Sequence, residues 1–502
     1  MEQNLSMYAY LKNSIQNLDE EKIIFQNNKI SARKLFADID AVSTFLSDVG
    51  IKKGDSVGVC LPNIPQAVVA IYAINKLGAV VNAIHPRLKD VALYNALEKT
   101  NTKIVFMYDF MVIKHYKFLK SKNIGIISCA YSDYLKGIRK FYKLGIISCL
   151  DKNIYPYPKT LKKTREISVD TAGSDNAFYL HSSGTSGESK TVILSSTAFN
   201  SLSDNIEKMM TDKAKIVIDP NDIMLMTLPV FHGFGMGICV HFSLHLFKIL
   251  MVPFFKSKYL TKNLNKNCIN FIVAVPNMLK KIAADKNIDA KSLRCTKLVF
   301  SGGDKLSNKV KDDFNEFLAA HGAKCKVMEG YGLSELTSVV SINIYPEKNN
   351  SQGLPLPNVD VKIITDGKVL PPDTVGEICV SSPSCMTGYL GAACPQFSTL
   401  DGKNYLHTGD LGALDADGFL YIKDRIKRIA IIGGINIYPQ EVEALISTIA
   451  GVKSACVARF VDDGKTKTKA YLELENGYKL TAKLIRTIQD AVEKKIMKYA
   501  VP

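Results

Sequence analysis

Tyr179-Leu-His-Ser-Ser-Gly-Thr-Ser-Gly-Glu-Ser-Lys190 is a run of small hydroxyls and glycines closed by one lysine. Gly184 and Gly187 let the backbone turn without Cβ clashes, so N–H groups can converge on an anion while Ser182, Ser183, Thr185 and Ser186 add hydroxyl donors. These residue types describe a phosphate cradle. Gly184-x-x-x-x-Ser189-Lys190-Thr191 misses the Walker pattern only at its last glycine. A Walker loop opens a helix, whereas Thr191-Val-Ile-Leu194 is a β-branched run that predicts a strand. Strand, loop, strand is therefore expected. A Gly/Ser surface hairpin has the same composition, and other parts of the chain must decide between the two.

At 502 residues the chain is long for one core, which predicts two or more folding units. Hydrophobic content of 47% and charged content of 22% are globular averages and exclude a disordered or fibrous chain. The net charge of +16 attracts polyanions. Its lysines are scattered, without a basic tract interleaved with aromatics, so phosphate-bearing small molecules are expected as partners and nucleic acid is not. Eleven cysteines with no C-x-x-C pair predict neither a disulfide framework nor a zinc knuckle, and fit a reducing cytosol. The N-terminus lacks the pattern of a secretory signal, and the most apolar stretch, 244–255, is too short to span a bilayer. A cytoplasmic location without a transmembrane segment is the expectation, with peripheral membrane contact left open.

Residues 30–49 carry a helical pattern (Leu35, Ile39, Val42, Leu46) introduced by Ser31 as N-cap. Val57-Gly-Val-Cys-Leu61, an apolar helix at 66–77 and a strand at 79–84 form a βαβ unit; a helix at 91–99 and a strand at 103–108 form a second. The class is α/β with a largely parallel sheet. Gly125-Ile-Ile-Ser-Cys129 recurs at 145–149 without a third copy, and is read as coincidence or a local duplication. Residues 151–175 are polar and read as a connector.

Residues 225–237 form a strand breaking into a glycine-rich turn around His232, whose flanking glycines suggest a rotatable gate. His241 and His245, four apart with no third ligand evident nearby, are expected to pack rather than bind metal. The strands at 298–301 and 326–329 run into Gly302-Gly303 and Gly330-Tyr331-Gly332, and ligands collect at such strand ends in open α/β sheets. Tyr331 offers a ring for stacking a base; Glu335 with Ser334 suits a hard cation such as Mg²⁺. Short β segments follow at 359–364, 377–380 and 419–423, with Asp410 as a loop carboxylate able to accept from a ribose diol. Pro439-Gln-Glu441-Val-Glu443 starts a helix, and the remainder is expected to alternate short α and β elements.

The 182–190 loop, Leu228-Pro-Val-Phe-His232, Ser301-Gly-Gly303, Gly330-Tyr-Gly-Leu-Ser-Glu335, Thr408-Gly-Asp410 and Asp424-Arg-Ile-Lys427 occur in the order and approximate spacing of the adenylate-forming superfamily. Over essentially its whole length the chain resembles an acyl-CoA synthetase of that superfamily, related to firefly luciferase and to the adenylation domains of non-ribosomal peptide synthetases. The resemblance implies a large N-terminal domain, 1–426, of stacked mixed sheets with helices and a β-rich subdomain. It also implies a small mobile α+β C-terminal domain, 427–502.

It further implies ATP-dependent activation of a carboxylic acid to an acyl-adenylate and transfer to the thiol of coenzyme A. A carrier-protein phosphopantetheine as acceptor and a non-catalytic nucleotide-binding protein are the alternatives. By position, Ser182, Ser183, Gly184, Thr185, Ser186, Gly187 and Lys190 hold the β- and γ-phosphates, and Thr185 and Glu335 sit at Mg²⁺. Ser334 sits at the α-phosphate in place of the usual threonine. Gly302, Gly303 and Tyr331 line the adenine, while Asp410 and Arg425 hold the ribose. Asp304, Glu329, Gly330, Gly332 and Ile422 complete the nucleotide set, and Gly433 and Gly434 approach pantetheine. His232 sits beside the substrate carboxylate and Lys427 at the hinge.

Amino-acid activators carry an aspartate near the start of the Phe231-His232 motif, so a fatty or other acid without an α-amine is expected. Ser189, Thr191 and Ile431 replace the usual proline, glycine and lysine. Lys498-Tyr-Ala-Val-Pro502 resembles the run that precedes the lysine of adenylation in the family. Without that lysine, adenylation is expected to slow by ~10²-fold or more, while thioester formation from supplied acyl-adenylate survives.

Overall fold

A computed structural model of the chain describes residues 4–135, 153–182, 190–253, 257–344, 347–391, 397–432, 435–462 and 465–502. Contacts divide it into two units. The first is Met1–Glu347, Leu356–Val359 and Ser382–Pro395; the second is Lys348–Pro355, Asp360–Ser381 and Gln396–Pro502. The expected boundary at 426/427 falls inside the second unit.

The first unit holds an eight-stranded sheet in the order Gly388–Tyr389, Lys190–Ser195, Asn176–Ser182, Val80–Ala83, Ser56–Cys60, Ile104–Tyr108, Gly125–Cys129, Ile154–Pro156. Its central strands are parallel and carry near-continuous buried runs, the signature of a sheet covered on both faces. The two βαβ units read from sequence are present. Ser31 caps the helix Ala32–Asp48 by accepting from Lys34 N–H. The helix Pro65–Lys76, entered by its proline, is buried on nearly every residue. The 151–175 stretch is more than a connector, because Ile154–Pro156 pairs parallel with Gly125–Cys129 as an edge strand, where proline is tolerated. The second copy of the Gly-Ile-Ile-Ser-Cys repeat lies outside the described residues.

A second sheet of this unit runs Ser341–Ile342, Val327–Tyr331, Leu298–Ser301, Phe271–Ala274, Ile223–Met226, Lys248–Met251, Glu21–Phe25, Asn28–Ser31. After Ile223–Met226 the chain turns and becomes a π-helix, Gly235–Phe242, with all eight residues buried. His241 lies within it and packs, as expected. Its Nδ1 is 2.9 Å from the Tyr72 hydroxyl and its Nε2 2.9 Å from Asn200 Oδ1. One neutral ring thereby joins three helices, and burial pushes its pKa down to about 3.

One expectation is overturned. Cys268 and Cys295 form a disulfide with Cα atoms 5.5 Å apart. Each stands three residues before a strand, and those strands are parallel neighbours paired Phe271↔Leu298, an offset that carries straight to Cys268 and Cys295. Strand spacing then brings their Cα atoms within disulfide range. Among the described residues the other cysteines, Cys60, Cys129, Cys239, Cys325, Cys379, Cys385 and Cys456, are free thiols.

The second unit contains a six-stranded antiparallel sheet ordered Lys368–Val369, Asp360–Thr365, Gly376–Ser381, Lys403–Leu414, Phe397–Leu400, with Leu420–Arg425 also paired to Lys403–Leu414. Beyond it are the hairpin Ala430–Ile432/Ile435–Ile437, the helix Pro439–Ile446 and the helix Ala482–Lys495. The remaining hairpin, Val452–Asp462/Lys465–Leu474, is longer than the short elements expected. Val442, Ile446, Val457, Ile488 and Val492 form their common core. Among the described residues no helix is long and apolar enough to cross a membrane.

Candidate functional site

In the first unit the strands Asn176–Ser182 and Lys190–Ser195 are antiparallel with Ser182 opposite Lys190, so a strand begins at Lys190 and a Walker helix there is excluded. Ser183, Gly184, Thr185, Ser186 and Gly187 lie outside the described residues. The ends of the two strands are braced by His181, whose Nε2 is 2.6 Å from Asn82 Oδ1 and whose Nδ1 is 3.2 Å from Thr191 Oγ1. Burial pushes the His181 pKa down to about 4, so the ring stays neutral and bridges the two strands as donor and acceptor.

Lys190 is exposed, and its ammonium lies 4.4 Å from the ring centroid of Tyr389. Tyr389 belongs to the short strand paired with Lys190–Ser195, and its hydroxyl donates to Glu335 Oε1 at 2.9 Å. Burial and that carboxylate raise the phenol pKa and keep it a donor. The structure thus brings Lys190 and Glu335 together through a residue that no sequence motif singles out. Only the register of the Gly388–Tyr389 strand reveals it.

Glu335 sits in the turn Ser334–Leu336, which ends at buried Thr337 with φ 64° and ψ −47°. This backbone is strained for a β-branched residue. Thr337 is held there by donating its hydroxyl to Ser384 O at 2.8 Å. The oxygens of Glu335 and Ser334 are hard donors and fit Mg²⁺ chemistry. Tyr331 is buried at the end of its strand. Gly302 lies against the Phe234 ring, while Gly303 and Asp304 are exposed. Glu329 pairs with Lys311 at 3.2 Å, and its pKa is raised by burial against the pull of that ammonium.

His232 keeps an exposed edge, and desolvation of its ring by the surrounding protein lowers its pKa. Phe234 N–H donates to its Nδ1 at 3.3 Å, so the proton sits on Nε2. The glycines around it do not loosen a gate. A Cβ at Gly233 would stand 2.0 Å from Thr337 O, and one at Gly235 2.0 Å from Pro229 O, so both are glycine because backbones touch. Asn63 pins the same turn, donating to Leu228 O at 2.9 Å and accepting from Val230 N–H at 3.1 Å. Phe300, edge-on to Phe234 with centroids 5.7 Å apart, forms one wall of an apolar pocket. All its lining residues are apolar, among them Met209, Met224, Ile238, Phe271 and Met328.

In the second unit Asp410 is not on a loop, as expected, but in the strand Lys403–Leu414. It is buried, and its Oδ1 meets Arg425 Nε at 3.0 Å across the sheet, where the two are register partners. Thr408-Gly-Asp410 forms an irregularity in that strand, since Cys379 faces His407 while Glu377 faces Leu411. Gly409 takes φ 74° there, and the Thr408 hydroxyl donates to Ile378 O at 2.7 Å while accepting from Asp410 N–H at 3.1 Å. Thr408 therefore closes the bulge, Gly409 turns it, and Asp410 presents the carboxylate.

Ile422 N–H donates to Gln352 Oε1 at 2.8 Å. Lys427 is exposed in the turn Ile426–Arg428. Asp424, fully buried beside it, accepts from Arg425 N–H at 2.7 Å and from Gln440 N–H at 2.8 Å, capping the helix Pro439–Ile446. Gly433 and Gly434 lie outside the described residues.

Residues 12–390 match the AMP-binding enzyme family. The chain is 28% identical over 483 residues to a long-chain-fatty-acid–CoA ligase of Bacillus subtilis, covering 92% of this chain and 84% of that protein. It is 24% identical over 492 residues to a 4-coumarate–CoA ligase of Vanilla planifolia (95% and 86%), and 25% identical over 490 residues to a 2-succinylbenzoate–CoA ligase of Bacillus cereus (96% and 90%). Among solved structures, ATP-bound MatB from Rhodopseudomonas palustris superposes with a TM-score of 0.84 at 21% identity, covering 99% of this chain and 94% of that one. An anthranilate CoA ligase with anthranoyl-AMP gives 0.82 at 18%, covering 99% and 92%. These two likenesses establish the fold.

Proposed function

This chain belongs to the AMP-binding enzyme family, and from that premise we propose that it is an AMP-forming acid–thiol ligase acting on an apolar, fatty-type carboxylic acid. A carboxylate oxygen attacks the α-phosphorus of ATP and pyrophosphate leaves; the thiol of coenzyme A then attacks the acyl carbon and AMP leaves. Adenylation is needed because oxide is a poor leaving group and AMP a good one.

Lys190, with Ser182, Ser183, Gly184, Thr185, Ser186 and Gly187, is assigned the β- and γ-phosphates. Glu335 and Thr185 are assigned Mg²⁺, which supplies charge neutralisation on the phosphate oxygens. Neutral His232 directs its Nε2–H to the acid's carboxylate. Ser334 takes the α-phosphate; Gly302, Gly303, Asp304, Glu329, Gly330, Tyr331 and Gly332 border the base. Asp410 with its Arg425 partner is assigned the ribose diol, and Ile422 the same nucleotide. Lys427, exposed at the 426/427 boundary, is assigned the hinge, and Gly433 and Gly434 the pantetheine arm.

The observation that carries the choice of acid is the cavity behind Phe300, which offers no polar partner to a second carboxylate or an amine. Burying each further methylene contributes about 0.8 kcal/mol, so kcat/KM should rise about fourfold per carbon until the cavity is full. The test measures pyrophosphate release and thioester formation with ATP, Mg²⁺ and CoA over straight-chain acids, malonate, 4-coumarate and 2-succinylbenzoate. A rising straight-chain series with no malonate turnover supports the reading. Preference for malonate or an aryl acid overturns it. Adenylation followed by loading of a holo-carrier protein but not CoA would replace the acceptor.

A further inference from the structure

Outside the residues assigned above, Glu377, Cys379 and His407 meet on one face of the antiparallel sheet of the second unit. Cys379 is the register partner of His407, and Glu377 stands two residues earlier on the same strand, hence on the same face. Glu377 Oε2 is 2.7 Å and Cys379 Sγ 3.5 Å from the same nitrogen, His407 Nδ1, and one ligand atom from each residue lies within 4.8 Å of the others. The opposite nitrogen, Nε2, is 2.6 Å from Ser398 Oγ. The second oxygen of Glu377 is held by Gly409 N–H at 3.0 Å.

A hydrogen-bonded carboxylate and imidazole need no metal, and Cys379 also packs in a small apolar cluster with Ile364 and Tyr405. The convergence goes further than that. A carboxylate–histidine–serine chain through Ser398 would need no thiol; here the thiol also faces the nitrogen that the carboxylate meets, so three ligand atoms of different softness surround one point. Their spacing suits a tetrahedral ion. Bonds of about 2.3 Å to sulfur and about 2.0 Å to nitrogen place those atoms about 3.5 Å apart, and the carboxylate needs to withdraw by only roughly half an ångström. A histidine ligand is normally oriented through its other nitrogen, and Ser398 fills that place.

We propose that Glu377, Cys379 and His407 bind a borderline-soft divalent cation of the Zn²⁺ class, with Ser398 as the positioning residue and water at the fourth position. Glu377 and His407 are 19% and 11% exposed, which leaves the side open to solvent. On binding, the ring proton moves from Nδ1 to Nε2 and is donated to Ser398 Oγ. Cys379 loses its thiol proton to solvent, so one proton leaves per ion. Thiolate and imidazole discriminate against Mg²⁺, making this site chemically separate from the one assigned to Glu335.

The test titrates the chelator-stripped full chain with Co²⁺ in the presence of millimolar Mg²⁺ and without ATP. One equivalent should produce a near-ultraviolet thiolate-to-cobalt band and visible bands of a four-coordinate ion, both removed by Zn²⁺. Cys379→Ser should abolish the near-ultraviolet band, and Ser398→Ala should weaken affinity by about 10-fold or more. Absence of the band in the unmodified chain, or its persistence in Cys379→Ser, overturns the proposal. If Cys379→Ser does not fold, Glu377→Gln decides, because its amide oxygen still accepts from Gly409 N–H while its NH2 is no ligand for the ion. Unchanged Co²⁺ affinity in that variant overturns the assignment.

Discussion

Tyr389 shows how one side chain can serve two others. Its ring faces the Lys190 ammonium and its hydroxyl donates to Glu335, so the two charges proposed to handle the triphosphate and its cation are positioned by one rigid phenol. A hydrogen bond to a charged acceptor contributes about 1.5–3 kcal/mol. Tyr389→Phe keeps the ring under Lys190 but frees Glu335, and kcat for adenylation should fall about tenfold or more in a pyrophosphate-release assay. Tyr389→Leu should fall further, since it also removes the cation–π contact. Equal activity of wild type and Tyr389→Phe would show that Glu335 is positioned by other groups. Lys190, His232 and Glu335 stand out in the sequence because they are charged or flanked by glycines. Tyr389 does not, because its role depends on where a two-residue strand lands.

At the scale of elements, the Thr408-Gly409-Asp410 bulge is the clearest device. Gly409 holds φ 74° with open space around it, so a methyl there meets no atom and acts only through the backbone. Gly409→Ala should cost about 1–2 kcal/mol by that route and turn Asp410 away from its bulged position. Calorimetric titration should show ATP binding weakened severalfold together with a lowered melting temperature. A lowered melting temperature with unaltered ATP affinity would sink the bulge as an aiming device. The sequence marked Asp410 as a carboxylate for a diol yet placed it on a loop, since Thr-Gly-Asp is turn composition. The flanking strands absorb it as a bulge instead. The Cys268–Cys295 pair has the same origin: parallel register, set by a crossover through a helix, decides which distant residues meet.

For the whole molecule, stability should follow pH through His241. Its folded pKa is held far below the ordinary value by burial, so between about pH 6.5 and 3 the unfolded chain binds a proton that the native chain refuses. This contribution is complete above pH 6.5 and is lost as pH falls, at up to ~1.4 kcal/mol per pH unit. Urea midpoints at pH 7, 6 and 5 should decline, and His241→Gln should start lower but decline less. Parallel slopes would exclude His241 as the source. The sequence by itself determined the α/β class, the strand that begins at Lys190 in place of a Walker helix, and the packing role of His241, because those follow from periodicity, β-branching and local residue chemistry. Only the tertiary structure decided that Tyr389 joins Lys190 to Glu335, that the glycines beside His232 are close contacts, that Cys268 meets Cys295, and that Glu377, Cys379 and His407 share one point. Most of these depend on register between strands distant in the chain, and the glycine contacts on how turns pack together; both are set by the collective packing of the sheets.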